Sequence, residues 1–132
     1  MASLTNPELA ITTDRAHNKA TIFVSCDVEF TQFEVNAMTQ LGLSYSLRCE
    51  LLNMEMMYPA SVVLFAGQDL PVIPGQGQSH EHATFAATTA MNALHMYIFG
   101  KDTLVAELTL KNQESGATTV KRTPAVSVNL AA

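Results

Sequence analysis

The strongest constraint on this chain is a two-residue alternation of apolar and polar side chains that begins at Thr21 and returns up to the C-terminus. Ile22, Val24, Cys26, Val28 and Phe30 fall on one parity, and Thr21, Ser25, Asp27 and Glu29 on the other. Successive side chains of a strand point to opposite faces, so this stretch reads as a half-buried strand. The signature recurs in Tyr45, Leu47, Cys49 and Leu51 against Ser46, Arg48 and Glu50, in Leu104, Ala106, Leu108 and Leu110 against Glu107, Thr109 and Lys111, and in Val126, Val128 and Leu130. The expected class is all-β.

Residues 1–19 are polar and interrupted by Asn6-Pro7, and they read as an N-terminal arm with one short strand over 9–12. Phe33, Val35 and Ala37 continue the alternation after a parity slip at Thr31-Gln32, as a bulge or tight turn would produce. A turn at 39–42 precedes a strand over 43–55, and shorter runs follow at 61–66 and 70–73. Residues 82–93 are ambiguous: Ala87, Ala90, Met91 and Leu94 suit a helix face, whereas Thr84, Thr88 and Thr89 favour a strand, and the all-β setting decides for strand. A hairpin is expected between 103–112 and 117–130 around Gln113-Glu114-Ser115-Gly116. Pro124 lacks a backbone donor, so the last strand is an edge or is split there.

Turns spaced in this way predict one domain over residues 1–132, a two-sheet antiparallel β-sandwich. It is similar to immunoglobulin or fibronectin sandwiches in outline only. Trp is absent, and Cys26 and Cys49 are too close in sequence for a bridge between the usual inter-sheet strands. A jelly roll or compact barrel is the alternative.

Only 14% of the residues are charged, against roughly 25% in ordinary soluble chains, while 48% are hydrophobic. Mean hydropathy is +0.14. Such an excess is met by two sheets packed face to face, by a homo-oligomer that covers one sheet, or by outer faces clothed in Thr, Ser, Asn and Gln. The net charge of -5 carries no basic stripe, which removes the electrostatic basis for binding nucleic acid or anionic membranes. No apolar run approaches the roughly 18 residues of a membrane span, and no secretory signal is visible in this numbering, so the compartment is not legible.

Chemistry is sparse. In Ser79-His80-Glu81-His82 an extended backbone would put His80 and His82 on one face, at a spacing that suits Zn or Cu. A third ligand would have to come from His17, His95, Asp69 or Glu81, and two solvated histidines are the default expectation. No cofactor is expected. A Gly-x-Ser-x-Gly turn is absent, and Cys26 and Cys49 sit on inward parities where a thiol is shielded, as small buried hydrophobes or, less expectedly, as a bridge. Asp27 and Glu29 share the polar face of one strand and read as part of a solvated sheet surface. Gln76 and Gln78 lie in a glycine-rich loop without the Lys-Ser/Thr ending of a phosphate cradle, and Met54, Met56, Met57 and Tyr58 form a soft apolar cluster; both suit contact with a protein partner. The expected function is a non-enzymatic binding or assembly module that self-associates. The alternatives are a metal-binding protein or metal-dependent enzyme using His80 and His82, and a small secreted lectin or toxin-like sandwich.

Overall fold

The computed structural model describes residues 2–42, 44–55, 59–70, 80–96 and 100–130. Among them the alternation at Thr21 becomes β2 (Lys19–Glu29). Its even positions, Ala20, Ile22, Val24, Cys26 and Val28, are fully buried. β2 is the middle strand of a three-stranded antiparallel sheet, with β1 (Ser3–Asp14) on one side and β6 (His80–Ala90) on the other. A second antiparallel sheet has β3 (Tyr45–Asn53) and β7 (Asp102–Asn112) at its centre, β4 (Ala60–Leu64) and β5 (Gln68–Leu70) beside β3, and β8 (Thr118–Arg122) and β9 (Val126–Val128) beside β7. Leu47, Cys49 and Leu51 of β3 and Leu104, Ala106 and Leu108 of β7 meet the even residues of β2 in one core, and Phe65 stacks edge-on against Phe85 at 5.9 Å. The protein is an all-β structure of two antiparallel sheets around that core.

The split expected at Pro124 is present between β8 and β9, both of which pair with β7. Thr123 bridges the break: its N–H donates to the Ala106 carbonyl (2.9 Å) and its Oγ1 accepts the Ala106 N–H (3.0 Å). The hairpin around residues 113–116 also forms. Asn112 Oδ1 accepts the N–H groups of Glu114 and Ser115, and Gly116 takes the left-handed conformation (φ 76°) that closes the turn.

Three segments differ from the sequence expectation. The stretch read as an arm carries a strand of 12 residues, and Asn6-Pro7 is a bulge inside it: register shifts between Thr5 and Glu8, and Asn6 adopts φ 51°, which Asn tolerates. Residues 32–41, of which Phe33, Val35 and Ala37 read as continued alternation and 39–42 as a turn, form helix α1 (Gln32–Leu41). The parity slip is the end of β2 followed by a capping box: Thr31 Oγ1 accepts the Glu34 N–H at 3.2 Å, and Glu34 Oε1 accepts the Thr31 N–H at 2.9 Å. Val35, Ala37 and Met38 are buried, and Gly42 ends the helix at φ 69°. Glu34 also accepts the Tyr45 hydroxyl at 2.6 Å, which ties α1 to β3. Burial by itself would raise the Glu34 carboxyl, but hydrogen bonds from Tyr45, Thr31 and Ala2 outweigh it and hold the group below its usual range. Residues 91–94, at the end of the ambiguous stretch, leave β6 as the single turn α2 (Met91–Leu94). No helix among the described residues is long and apolar enough to cross a membrane.

Candidate functional site

His80 and His82 open β6, with both side chains on the outer face of the three-stranded sheet. Antiparallel register sets His82 opposite Asp27 and His80 opposite Glu29. Asp27 is the group that joins them: His82 Nδ1 lies 2.7 Å from its Oδ1 and His80 Nε2 lies 3.4 Å from the same oxygen. A carboxylate only accepts, so the His82 Nδ1 carries the proton in that bond. Asn6, brought over by the β1 bulge, donates from Nδ2 to Asp27 Oδ2 at 3.0 Å. Hydrogen bonds from Asn6 and then His82 hold the Asp27 carboxyl below its ordinary value.

The sequence placed the two histidines on one face but did not find Asp27 as their partner. The available signal was its outward parity on β2. Zinc holds imidazole nitrogen at about 2.0–2.1 Å, so ligands must surround a common centre, whereas these two nitrogens converge on a single carboxylate oxygen. Among the described residues, no group of three His, Cys, Asp or Glu side chains could hold a metal ion.

Of the residues proposed for partner contact, Met54 is half-buried just beyond β3, where its N–H donates to the Thr103 carbonyl at 2.8 Å. Met56, Met57, Tyr58, Gln76 and Gln78 lie outside the described residues. Both thiols are buried and free, and burial pushes Cys26 up to about 11 and Cys49 up to about 12, which keeps them protonated at neutral pH.

A second histidine–carboxylate pair was not anticipated. Asp102, fully buried at the start of β7, accepts His95 Nδ1–H on Oδ2 (2.6 Å) and the Asn53 amide (3.0 Å) and Met96 N–H (2.8 Å) on Oδ1. Asn53 also donates to the Leu94 carbonyl at 2.9 Å and accepts the Glu55 N–H at 3.0 Å. These residues are far apart in sequence, and nothing local marks them as partners. A carboxylate that fixes one imidazole tautomer is the orienting half of a catalytic triad. Among the described residues no Ser, Thr or Cys side chain hydrogen-bonds to His95, and the network closes the ends of β3, α2 and β7 on one another.

The two outer sheet faces differ in where their charges lie. On the β3–β7–β8 side, Arg48, Glu50 and Glu107 flank a cleft of about 190 Å³, and Arg122 pairs with Glu107 at 2.9 Å. On the β1–β2–β6 side, the cross-strand rows Thr12–Thr21–Thr88 and Ala10–Phe23–Ala86 contain no charge. Phe23, 46% exposed, stands at the middle of that face beside a groove of about 260 Å³ that Leu9, Ala10, Pro124 and Val126 help to line. The groove lies toward β1 and the β8–β9 break, and β6 is the opposite edge of the sheet.

No family model matches the chain, and no curated protein matches it. Among solved structures it is similar to an X-ray structure of a structural-genomics target, SoR45, at 7% identity and a TM-score of 0.40, with 96% of this chain and 84% of that one covered. It is also similar to Spo0M, a sporulation control protein from Bacillus subtilis, at 11% identity and a TM-score of 0.42; 96% of this chain is covered, but it spans only 48% of Spo0M.

Proposed function

We propose that this protein is a non-enzymatic binding or assembly module that associates with itself through the three-stranded sheet. The observation that carries the reading is a neutral strip of Thr and Ala around an exposed Phe23 in the middle of the outer face of the three-stranded sheet, between the Asp27–His82 cluster at one end and Asp14 and Lys19 at the other. Interface centres are depleted of charge and enriched in aromatic residues, so the neutral strip around Phe23 is suited to contact. The low overall charge of 14% points the same way. Strand order supports the immunoglobulin-like or fibronectin-like outline as part of this reading, because β4 lies beside β3 on the β3–β7–β8 sheet while β1, β2 and β6 form the other. The carboxylate-bound histidines do not favour an enzyme: His82 is spent on Asp27, His17 pairs with the neighbouring Asp14 at the surface, and His95 sits in a structural clamp.

Sedimentation velocity across a concentration series tests the proposal. A closed dimer or larger symmetric oligomer is expected, and a monomer throughout the series would sink it.

A further inference from the structure

β6 forms the edge of its sheet, and its geometry shows which of its backbone groups are open. The Met91 N–H turns toward β2 to reach the Asn18 carbonyl (3.0 Å), continuing a ladder in which odd residues of β6 bond to β2. Thr84, an even residue, has its carbonyl turned the other way, where it accepts the Gln68 side chain at 2.6 Å. Even positions therefore direct N–H and C=O out of the sheet. Thr84 has a guard on its carbonyl; among the described residues Ala86 and Thr88 have no backbone partner on that side.

Proteins ordinarily blunt such an edge with Lys, Pro, a bulge or a covering element. Beyond the Gln68 contact at Thr84, none of these is found among the described residues against β6 from Phe85 to Ala90: the run Phe-Ala-Ala-Thr-Thr-Ala pairs with β2 without a register shift and has no charge. The other edge of the same sheet, β1, is covered by contacts from β8 and β9. Phe23 lies on the central strand with its groove toward β1, and its cross-strand neighbour Ala86 carries the neutral strip on to the open edge.

We infer that β6 pairs antiparallel with β6 of a second copy about a two-fold axis at Ala87, joining the two three-stranded sheets into one. This deepens the self-association reading and rests on it. With the axis at Ala87, Ala86 faces Thr88 of the second copy and Thr88 faces its Ala86, so the open groups exchange reciprocal N–H to C=O bonds on both sides of the axis. Thr84 then faces Ala90 of the second copy. No like charges meet anywhere along the pairing, which is the complementarity that a strand needs in order to pair with itself. A foreign strand could use the same groups, but a self-complementary neutral run requires no other chain.

The test uses Thr88→Lys, which places two ammonium groups beside the axis on an exposed position, and Ala86→Pro, which removes an outward N–H that β2 does not use. Val120→Lys, on exposed β8 of the other sheet, is the control. Each is followed by sedimentation and by thermal melting of the monomer. Loss of the dimer in both β6 variants at concentrations where wild type and Val120→Lys remain dimeric, with folded monomers in all, is the expected result. A dimer that survives Thr88→Lys and Ala86→Pro would overturn β6 pairing while leaving self-association standing. A monomeric wild-type protein would overturn both, and binding of a foreign extended peptide to that monomer would reassign the edge to another partner.

Discussion

Two of the histidine–carboxylate pairs have nearly the same bond, 2.6 Å between His95 and Asp102 and 2.7 Å between His82 and Asp27, in opposite surroundings. Asp102 is 0% exposed and holds the ends of three elements together, whereas His82 is 60% exposed at the start of an edge strand. An ion pair in water gains little, because screening and side-chain entropy offset the attraction. A buried carboxylate that loses a partner, or partners that lose a buried carboxylate, have no water to turn to. The same two residue types therefore act as a clamp at one place and as a surface ornament at the other.

Asp102→Ala should sharpen the contrast most. It leaves the Asn53 amide, the Met96 N–H and the His95 Nδ1–H without their acceptor, and urea unfolding should show a loss of about 3 kcal/mol or more. Asn53→Ala, which strands the Leu94 carbonyl and Glu55 N–H, should cost about 1–3 kcal/mol. If either change were as mild as a surface substitution, the buried network would not be a clamp.

Replacing both His80 and His82 by Ala should leave the melting temperature close to that of wild type at neutral pH. Zinc should bind weakly and shift melting by the same amount in both proteins, since neither has a set of ligands around one centre. Stoichiometric zinc that vanished in the double variant would promote the histidines from ornament to site.

The smallest expected effect is on titration. Asp27 is lowered from 3.8, so the stabilisation it provides is present above that value and is lost as pH falls through its folded pKa. Asn6→Ala removes the largest cause of the shift, and NMR titration should show Asp27 moving back up toward 3.8. An unchanged Asp27 titration would mean that the β1 bulge does not set the geometry of this cluster.

Strands with one buried face were legible in the sequence because their pattern repeats within a few residues: the even positions of β2 and the odd positions of β3 are inward as alternation requires. Helix α1 was missed because Phe33, Val35 and Ala37 happen to alternate too. The deciding signal was the Thr31-x-x-Glu34 box, which outweighs a short parity run by capping the first turn. Phe33, the first of that run, is 81% exposed, whereas Val35 and Ala37 are buried together with Met38, which strict alternation would have turned outward. Asn6-Pro7 read as a break since a bulge and a loop have the same local composition. The candidate cluster was half legible: same-face spacing located His80 and His82, but their partner Asp27 comes from another strand, 55 positions from His82, and only register supplies it. Asn53 and Asp102, 49 positions apart, had no local signal at all.

Hydrogen exchange along β6 tests the central claim most directly, since alternate amides of one strand answer different questions. Ala87 and Thr89 bond to β2 and should exchange slowly at every protein concentration. Ala86 and Thr88 point outward, so their amides should exchange fast in dilute protein and become protected as the concentration rises through the dimer transition. Equal exchange of Ala86 and Thr88 at both ends of the concentration range would contradict assembly through this edge.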